Sequence, residues 1–254
     1  MKKLKATAVS YLNTKPFMYG WFQAGMDEFV DLSLDIPAVG AAKLQTGEVD
    51  FGLVPVAVIP HLKQPEIITD FCIGAYGAVR TVVIFSDCPI QEITHLYLDH
   101  HSRTSVALAQ VLLREYWEIS PELLQAEEGF PEKIGGTTAG VIIGDRVVDY
   151  EGKFTYTYDL AEAWLKHTTL PFVFAAWVSN KSLPKTFVKR LNEAFRIGIE
   201  AIPKLTYLLP TTHPNFDIEE YFTKYIRYDL TKQKRQALDL FLAKLKEKNT
   251  NLVN

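Results

Sequence analysis

Apolar residues along the chain fall into two patterns, short strand-like runs before Leu183 and helical spacing after it. The runs are rich in β-branched and aromatic residues, and they read KATAVS, LSLDIP, DFGLVP, AVRTVVIFS, HLYLD, AGVIIGD and PFVFAAWVS. Segments between several of them have helical character and end at turn residues such as Gly47. Alternation of strands and helices is typical of βαβ units, so the pattern predicts an α/β protein with parallel sheets.

Two amphipathic helices are predicted in the C-terminal part of the chain. The apolar face of the first contains Phe187, Leu191, Ala194, Phe195, Ile199 and Ile202, and that of the second, after Asp229, contains Leu238, Phe241, Leu242 and Leu245. Lysines and arginines lie on the opposite faces, as expected for helices that cover a core and leave one side in water.

The order of these elements predicts two lobes. The stretches VVIFSDCPIQEI and LPFVFAAWVS each have a proline beside a strand-like run, and they flank the segment from Ile93 to Thr169. We therefore predict a first lobe formed by residues 1–92 and 170–254, with a second lobe, residues 93–169, inserted into it. Two crossings of this kind form a hinge, and the cleft between the lobes is the expected ligand site.

Composition narrows the class of protein. The chain has 254 residues, 48% of them apolar, and a formal net charge of −3 without a basic stripe, which argues against nucleic-acid binding. Cys72 and Cys88 are too few for a disulfide framework and fit a reducing compartment. Neither a secretory leader nor an apolar run of the roughly 20 residues needed to span a bilayer is recognisable. We therefore expect a cytoplasmic protein with no membrane partner.

One strand-to-helix junction carries an unusual number of polar groups. The run LDHHSRTSVALAQVLL passes from an apolar strand through Asp99 to Ser105 into a helix. A helix start has unpaired backbone N–H groups and partial positive charge, so these hydroxyls either cap the helix or help to hold an anion. A cap needs one hydroxyl, whereas three occur within four residues, which favours a carboxylate site.

A second junction, SYLNTKPF, has the same design, with Ser10 at a strand end and Pro16 near the first helical turn. Asn13 lies between them and is either a simple cap or a ligand-facing group. One such junction in each lobe would suit a small molecule with two acidic ends.

Seven motifs, read in order, resemble the chorismate dehydratase family of the futalosine route to menaquinone. They are SYLNTKPF, LQTGEVDFGLVPVAVI, CIGAYGAVRTVVIFS, LDHHSRTSVALAQVLL, VIIGD, YDLAEAWLKHTTLPFVFAAW and IRYDL. The resemblance implies a two-lobed fold similar to type II periplasmic binding proteins. It also implies that chorismate, the expected small-molecule partner, loses water to give 3-[(1-carboxyvinyl)oxy]benzoate.

The resemblance implies two candidate catalytic residues. The asparagine of the SYLN motif falls on Asn13, which we expect to act on the substrate or to orient it. Asp145, which ends the strand VIIGD, is expected to accept a proton or to accept a hydrogen bond that positions the ring, although it is equally suited to a turn.

Five residues are candidates for substrate binding. Ser102, Thr104 and Ser105 are expected to hold one carboxylate with the N–H groups of the helix start, and Ser10 is expected to line the cleft. Arg80, in GAVRTV, either pairs with the other carboxylate or forms a structural salt bridge.

The implied reaction aromatises the ring and needs neither a metal nor an organic cofactor, so none is expected. Adjacent residues such as His100 and His101 point apart in regular structure and are poor metal ligands. Two alternatives remain: 1,4-dihydroxy-6-naphthoate synthase of the same pathway, for which VIIGD lacks an expected histidine, and a noncatalytic small-carboxylate-binding protein. The pattern leaves the oligomeric state open.

Overall fold

The computed structural model of the protein describes residues 3–99, 102–210 and 216–250. In chain order the strands are β1 (Leu4–Val9), β2 (Val30–Asp35), β3 (Phe51–Pro55), β4 (Glu66–Ala75), β5 (Val82–Ser86), β6 (His95–Leu98), β7 (Glu122–Gln125), β8 (Thr138–Ile143), β9 (Tyr156–Asp159), β10 (Phe172–Ser179) and β11 (Arg227–Asp229). The helices are α1 (Lys15–Gln23), α2 (Pro37–Thr46), α3 (Arg103–Glu115), α4 (Leu160–Thr168), α5 (Lys185–Glu200), α6 (Ile202–Leu205), α7 (Ile218–Glu220) and α8 (Lys232–Thr250). Within the described ranges, none of the helices is both long enough and apolar enough to cross a bilayer.

The strands form two sheets, and each sheet is the centre of one lobe. The first sheet has the order β11-β4-β10-β3-β1-β2, and the second has the order β7-β6-β8-β5-β9. The predicted two-lobed α/β fold is confirmed, but the sheets are mixed instead of parallel. The return strand β10 pairs antiparallel with β3 and β4, and β5 pairs antiparallel with β8 and β9. With β5 the chain enters the second lobe, and with β10 it returns to the first. Each of these strands runs in the direction opposite to its neighbours in the sheet.

The first crossing between lobes occurs earlier than the sequence predicts. Strand β5 was expected in the first lobe, before the boundary at residue 93, yet it lies in the second sheet between β8 and β9. Its five residues are all buried, so its hydrophobic pattern contains no information about which sheet it joins. The crossing therefore lies between β4 and β5, and the return lies between α4 and β10.

A close helix crossing fixes the first lobe behind the SYLN junction. Helices α1 and α5 meet at Gly20 and Gly198, where an added Cβ would lie 1.9 Å from the Ala194 and Pro16 carbonyl oxygens respectively. Only glycine permits this approach of two backbones. Beside it the Trp177 ring is fully buried in the core. The start of α1 is thus held rigidly.

Candidate functional site

A cleft opens between the two sheets, with about 510 Å³ of free space including the part open to solvent. Its polar lining consists of Tyr11, Asn13, Thr81, Ser102 and Ser105, and its other lining residues are Val9, Pro37, Pro55, Ile73, Val79, Val82, Ile143, Gly144, Phe174 and Ala175. None of these described lining residues carries a charged side chain. A ligand anion would therefore be bound by neutral donors and by the dipole of a helix.

The start of α3 supplies two of the polar groups. Ser102 is the N-cap, and its Oγ accepts hydrogen bonds from the Ser105 N–H at 3.2 Å and from the Ser105 hydroxyl at 3.0 Å. Both side chains are buried and both line the cleft. Capping and ligand binding, which the sequence presents as alternatives, are thus compatible here. The positive end of the dipole of α3 faces the same space.

Thr104 is not brought to the cleft. Its side chain is fully buried, and its Oγ1 accepts a hydrogen bond of 3.1 Å from the Ala57 N–H, which follows β3 in the first lobe. Residues two apart on a helix differ in direction by about 200°, so Thr104 faces away from Ser102. The hydroxyl that was expected to bind a carboxylate instead joins the two lobes.

The SYLN junction places Asn13 in the cleft but not Ser10. Residues Leu12–Thr14 form a single 3₁₀ turn before α1. The Asn13 backbone carbonyl accepts a hydrogen bond of 3.0 Å from the Tyr228 hydroxyl, which fixes this turn from the C-terminal part of the chain. Ser10 is exposed and is absent from the lining of the cleft, and its N–H donates to the Asp35 carbonyl at 3.1 Å.

Asp145 lies behind the Asn13 turn instead of lining the cleft. Its Oδ2 accepts a hydrogen bond of 2.9 Å from the Leu12 N–H, so it links the second lobe to the first. Its Oδ1 is buried without a hydrogen-bonding partner among the described residues. Burial raises the pKa of Asp145, and the Leu12 N–H and the charge of Lys15 oppose that effect. The geometry supports a positioning role through Leu12 more directly than contact with a ligand.

Of the two expectations for Arg80, the structure shows the salt bridge. Its guanidinium is paired with Glu151, with Nη2 2.9 Å from both carboxylate oxygens. It does not line the cleft. Its backbone has a φ of 65°, and its N–H, with that of Val79, donates to Asp159 Oδ2. Arg80 therefore belongs to the crossing between the lobes.

Asp159 binds the backbone of the segment that crosses between the lobes. Its Oδ2 accepts the two N–H groups of the crossing segment, while its Oδ1 caps α4 by accepting from Ala161 and Glu162. Four donors lower the pKa of a carboxylate, but burial outweighs them and raises the pKa of Asp159 to about 6.

Three polar groups near Asn13 were not identified from the sequence. Tyr11 and Thr81 are adjacent in sequence to the candidates Ser10 and Arg80, and this adjacency was the available signal for both. Burial is the main cause that raises the pKa of Tyr11 to about 12, so its phenol stays protonated and can donate to a ligand. Tyr221 contacts Thr81 with 3.0 Å between the hydroxyl oxygens, and no local pattern marks that pairing.

Metal binding has no support from the described side chains. Among them no group of three or more histidine, cysteine, aspartate or glutamate side chains is arranged to hold an ion. His100 and His101 lie outside the described residues.

Solved structures with the same architecture come from several classes of organism. A protein of Archaeoglobus fulgidus superposes with a TM-score of 0.73 at 14% identity, with 98% of each chain covered. A Candida albicans gene product, described as having the generic periplasmic binding protein structural fold, superposes with a TM-score of 0.64 at 11% identity, with 95% of this chain and 90% of that chain covered. At these identities the similarity establishes a periplasmic-binding-protein-like fold and nothing about the ligand.

Sequence comparisons are more specific. The chorismate dehydratase of Thermus thermophilus is 28% identical over 184 residues, which are 65% of this chain and 67% of that protein. A family model described as menaquinone biosynthesis matches residues 4–247, nearly the whole chain. The fold, the cleft and this match agree, and the chain belongs to the menaquinone biosynthesis family.

Proposed function

We propose that the protein is a chorismate dehydratase, which converts chorismate to 3-[(1-carboxyvinyl)oxy]benzoate and water. The observation that carries the proposal is the similarity to the Thermus thermophilus chorismate dehydratase, within a family of menaquinone biosynthesis. The cleft supports it, because its neutral hydrogen-bonding groups and the start of α3 suit an anionic ligand.

The chemistry requires little besides orientation and charge stabilisation. One ring C–H bond breaks, its electron pair forms a ring double bond, and the neighbouring C–O bond breaks. The leaving hydroxyl departs with a proton as water, so atoms and electrons balance without an oxidant or reductant. Aromatisation supplies the driving force, and negative charge develops toward the ring carboxylate as the proton leaves. Groups that hold this carboxylate therefore stabilise the transition state more than the ground state.

In this scheme the start of α3 holds the ring carboxylate. Ser102 and Ser105 line the cleft beside the positive end of the helix dipole. Both Ser105 donors already go to Ser102 Oγ, so the Ser102 hydroxyl hydrogen is the side-chain donor left for the carboxylate, and Ser105 holds it in place before the reaction.

Asn13 faces the same space from the first lobe and orients the reacting part of the ring. The scheme gives the proton to the enolpyruvyl carboxylate of the substrate itself, an intramolecular base that needs only correct placement. Asp145 acts in this scheme by fixing the Leu12 N–H and thereby the turn that carries Asn13.

The test is to mix the purified protein with chorismate and follow the mixture by mass spectrometry. Conversion to a product lighter by one water, absent without protein and absent with the Asn13→Ala variant, would support the proposal. Chorismate that raises the melting temperature without being converted would indicate a binding protein. With neither conversion nor binding, the substrate of the naphthoate synthase becomes the next compound to test.

A further inference from the structure

The IRYDL motif, which contains Tyr228, comes near the end of the chain, and its residues do not line the cleft. The motif includes the edge strand β11, and Tyr228 at the centre of this strand is only 4% exposed. The Tyr228 ring packs edge-to-face on Phe17 of α1, with 5.2 Å between the ring centroids. Its hydroxyl donates to the Asn13 carbonyl oxygen at 3.0 Å. The motif therefore meets the candidate site at the backbone of Asn13.

The carbonyl of Asn13 cannot obtain the donor that its neighbours in the turn have. In a 3₁₀ turn each carbonyl accepts from the N–H group three residues later. The Tyr11 carbonyl accepts in this way from the Thr14 N–H at 3.1 Å, and the Leu12 carbonyl accepts from the N–H group that follows. The next bond of the series would join Asn13 to Pro16. Proline has no N–H group, so this bond cannot form.

The hydrogen bonds of α1 begin one residue too late to use this carbonyl. The N-cap of α1 is Thr14, and the carbonyl of an N-cap residue accepts the first bond within a helix. The Asn13 carbonyl lies between the two series of backbone bonds. The Tyr228 hydroxyl is therefore the donor that takes the place of the N–H group missing from Pro16.

A buried lysine holds the strand that carries Tyr228. The strand β11 has three residues, and its pairing with β4 is irregular between Arg227 and Asp229. Lys234 of α8 is 3% exposed, and its Nζ donates to the carbonyl oxygens of Arg227 at 2.7 Å and of Asp229 at 2.5 Å. An ammonium group has three donors and no acceptor, so it can bind both oxygens at once. These two carbonyls flank Tyr228, and the lysine thus fixes the strand on both sides of it.

We propose that Tyr228 is a positioning residue whose hydroxyl replaces the N–H group that Pro16 lacks and so holds the turn that presents Asn13 to the cleft. Lys234 supports it by fixing β11. The consequence for turnover rests on the proposed dehydratase function, in which Asn13 orients the reacting part of the ring. The hydrogen bond itself does not depend on which reaction occurs.

The first test compares Tyr228→Phe with Tyr158→Phe. The Tyr158 hydroxyl also binds a backbone group, accepting from the Ile90 N–H at 2.8 Å, but Tyr158 does not line the cleft. Each variant therefore keeps its ring and loses one bond between a hydroxyl and the backbone. We expect kcat for chorismate dehydration to fall about tenfold in Tyr228→Phe, the value of one hydrogen bond, and to stay normal in Tyr158→Phe.

The value of KM separates positioning from a general structural loss. It should stay unchanged in Tyr228→Phe, because the scheme binds the ring carboxylate at the start of α3 and not at the Asn13 turn. A normal kcat in this variant would overturn the inference, and so would a raised KM with a normal kcat.

A second substitution tests the role of the proline. Pro16→Ala restores an N–H group three residues after Asn13, so the turn can continue its own series of bonds. In a Pro16→Ala background, Tyr228→Phe should lower kcat much less than it does in the wild type. A loss of the same size in both backgrounds would refute the claim that the hydroxyl replaces this N–H group.

A readout without substrate keeps this inference separate from the proposed function. Labelling asparagine with ¹³C at the carbonyl and threonine with ¹⁵N selects the two Asn–Thr pairs of the chain, and the signal of Asn13 is the one lost in Asn13→Ala. We expect this carbonyl signal to shift in Tyr228→Phe and to stay in place in Tyr158→Phe. An unchanged signal in Tyr228→Phe would overturn the inference.

The same signal decides the outcome in two further cases. If Tyr228→Phe does not fold, Lys234→Met is expected to shift the Asn13 carbonyl signal, and an unchanged signal would overturn the inference. A wild-type protein that does not convert chorismate would reject the proposed function, while the carbonyl signal would still decide the role of Tyr228.

Discussion

Replacing Thr104 by valine separates two roles for the start of α3, joining the lobes and binding a carboxylate. Valine has nearly the same shape but lacks the oxygen that accepts from the Ala57 N–H at 3.1 Å. Ala57 is only 8% exposed, so its N–H would remain buried and unpaired. An unsatisfied buried donor costs about 1–3 kcal/mol. Because the bond joins the lobes, opening of the cleft would admit water to this N–H and relieve the cost.

The penalty therefore shifts the equilibrium between closed and open lobes toward the open form by about 1–3 kcal/mol. The affinity for a ligand that binds only the closed form then falls by about 5- to 150-fold. Small-angle X-ray scattering of the free protein should show a larger radius of gyration for Thr104→Val, and calorimetry should show weaker binding of chorismate. The control is Thr46→Val, an exposed threonine whose hydroxyl donates to a carbonyl within its own helix. Weaker binding with an unchanged radius would instead favour direct contact with the carboxylate, and no change in either would refute the lobe-joining role.

Three further predictions concern the cleft and its crossing. Asn13→Ala should abolish turnover at an unchanged melting temperature, since the side chain is only half-buried, and near-normal activity would contradict its role. Ser102→Ala removes the N-cap and should lower the free energy of unfolding in urea by about 1 kcal/mol, whereas Ser105→Ala should mainly lower kcat, because its hydroxyl supports the group that stabilises the developing charge; a Ser105→Ala variant with raised KM and normal kcat would contradict the assignment. Because its pKa is raised on folding to about 6, Asp159 binds a proton in the native state first, so unfolding free energy should rise as pH falls from about 6 to about 4, by up to about 3 kcal/mol. The free energy of unfolding, measured by urea titration at several pH values, should depend on pH differently in the wild type and in Asp159→Asn. If the two proteins show the same pH dependence, this prediction is refuted.

Several features of the site follow from local sequence because local physics decides them. A polar segment between an apolar strand and an amphipathic helix lies at the carboxyl end of that strand. The helix that follows begins with unpaired N–H groups. Asn13, Ser102 and Ser105 satisfy both conditions, and the structure brings all three to one cleft. The two-lobed α/β fold likewise follows from the alternation of elements along the chain.

Other features of the site depend on the direction in which a side chain points and on partners that lie far away in the sequence. Thr104 and Ser102 belong to the same helix start, but the rotation of the helix points their side chains in different directions. Ser102 therefore lines the cleft, whereas Thr104 contacts the first lobe. Arg80 and Thr81 are adjacent at the crossing, yet the arginine pairs with Glu151 and the threonine lines the cleft. The partner of Thr81 is Tyr221, 140 residues away, so only the tertiary fold brings them together.

The position of β10 within the first sheet determines when that sheet can be completed during synthesis. It lies between β3 and β4 in the first sheet, although the whole second lobe is made between β4 and β10. Until β10 has been synthesised, β3 therefore has one unpaired edge and β4 has no paired neighbour, so the second lobe is the part that can fold first. The Asn13 turn waits longer still, because its partner Tyr228 is synthesised after β10. The first residues of the cleft to be made are thus among the last to be ordered.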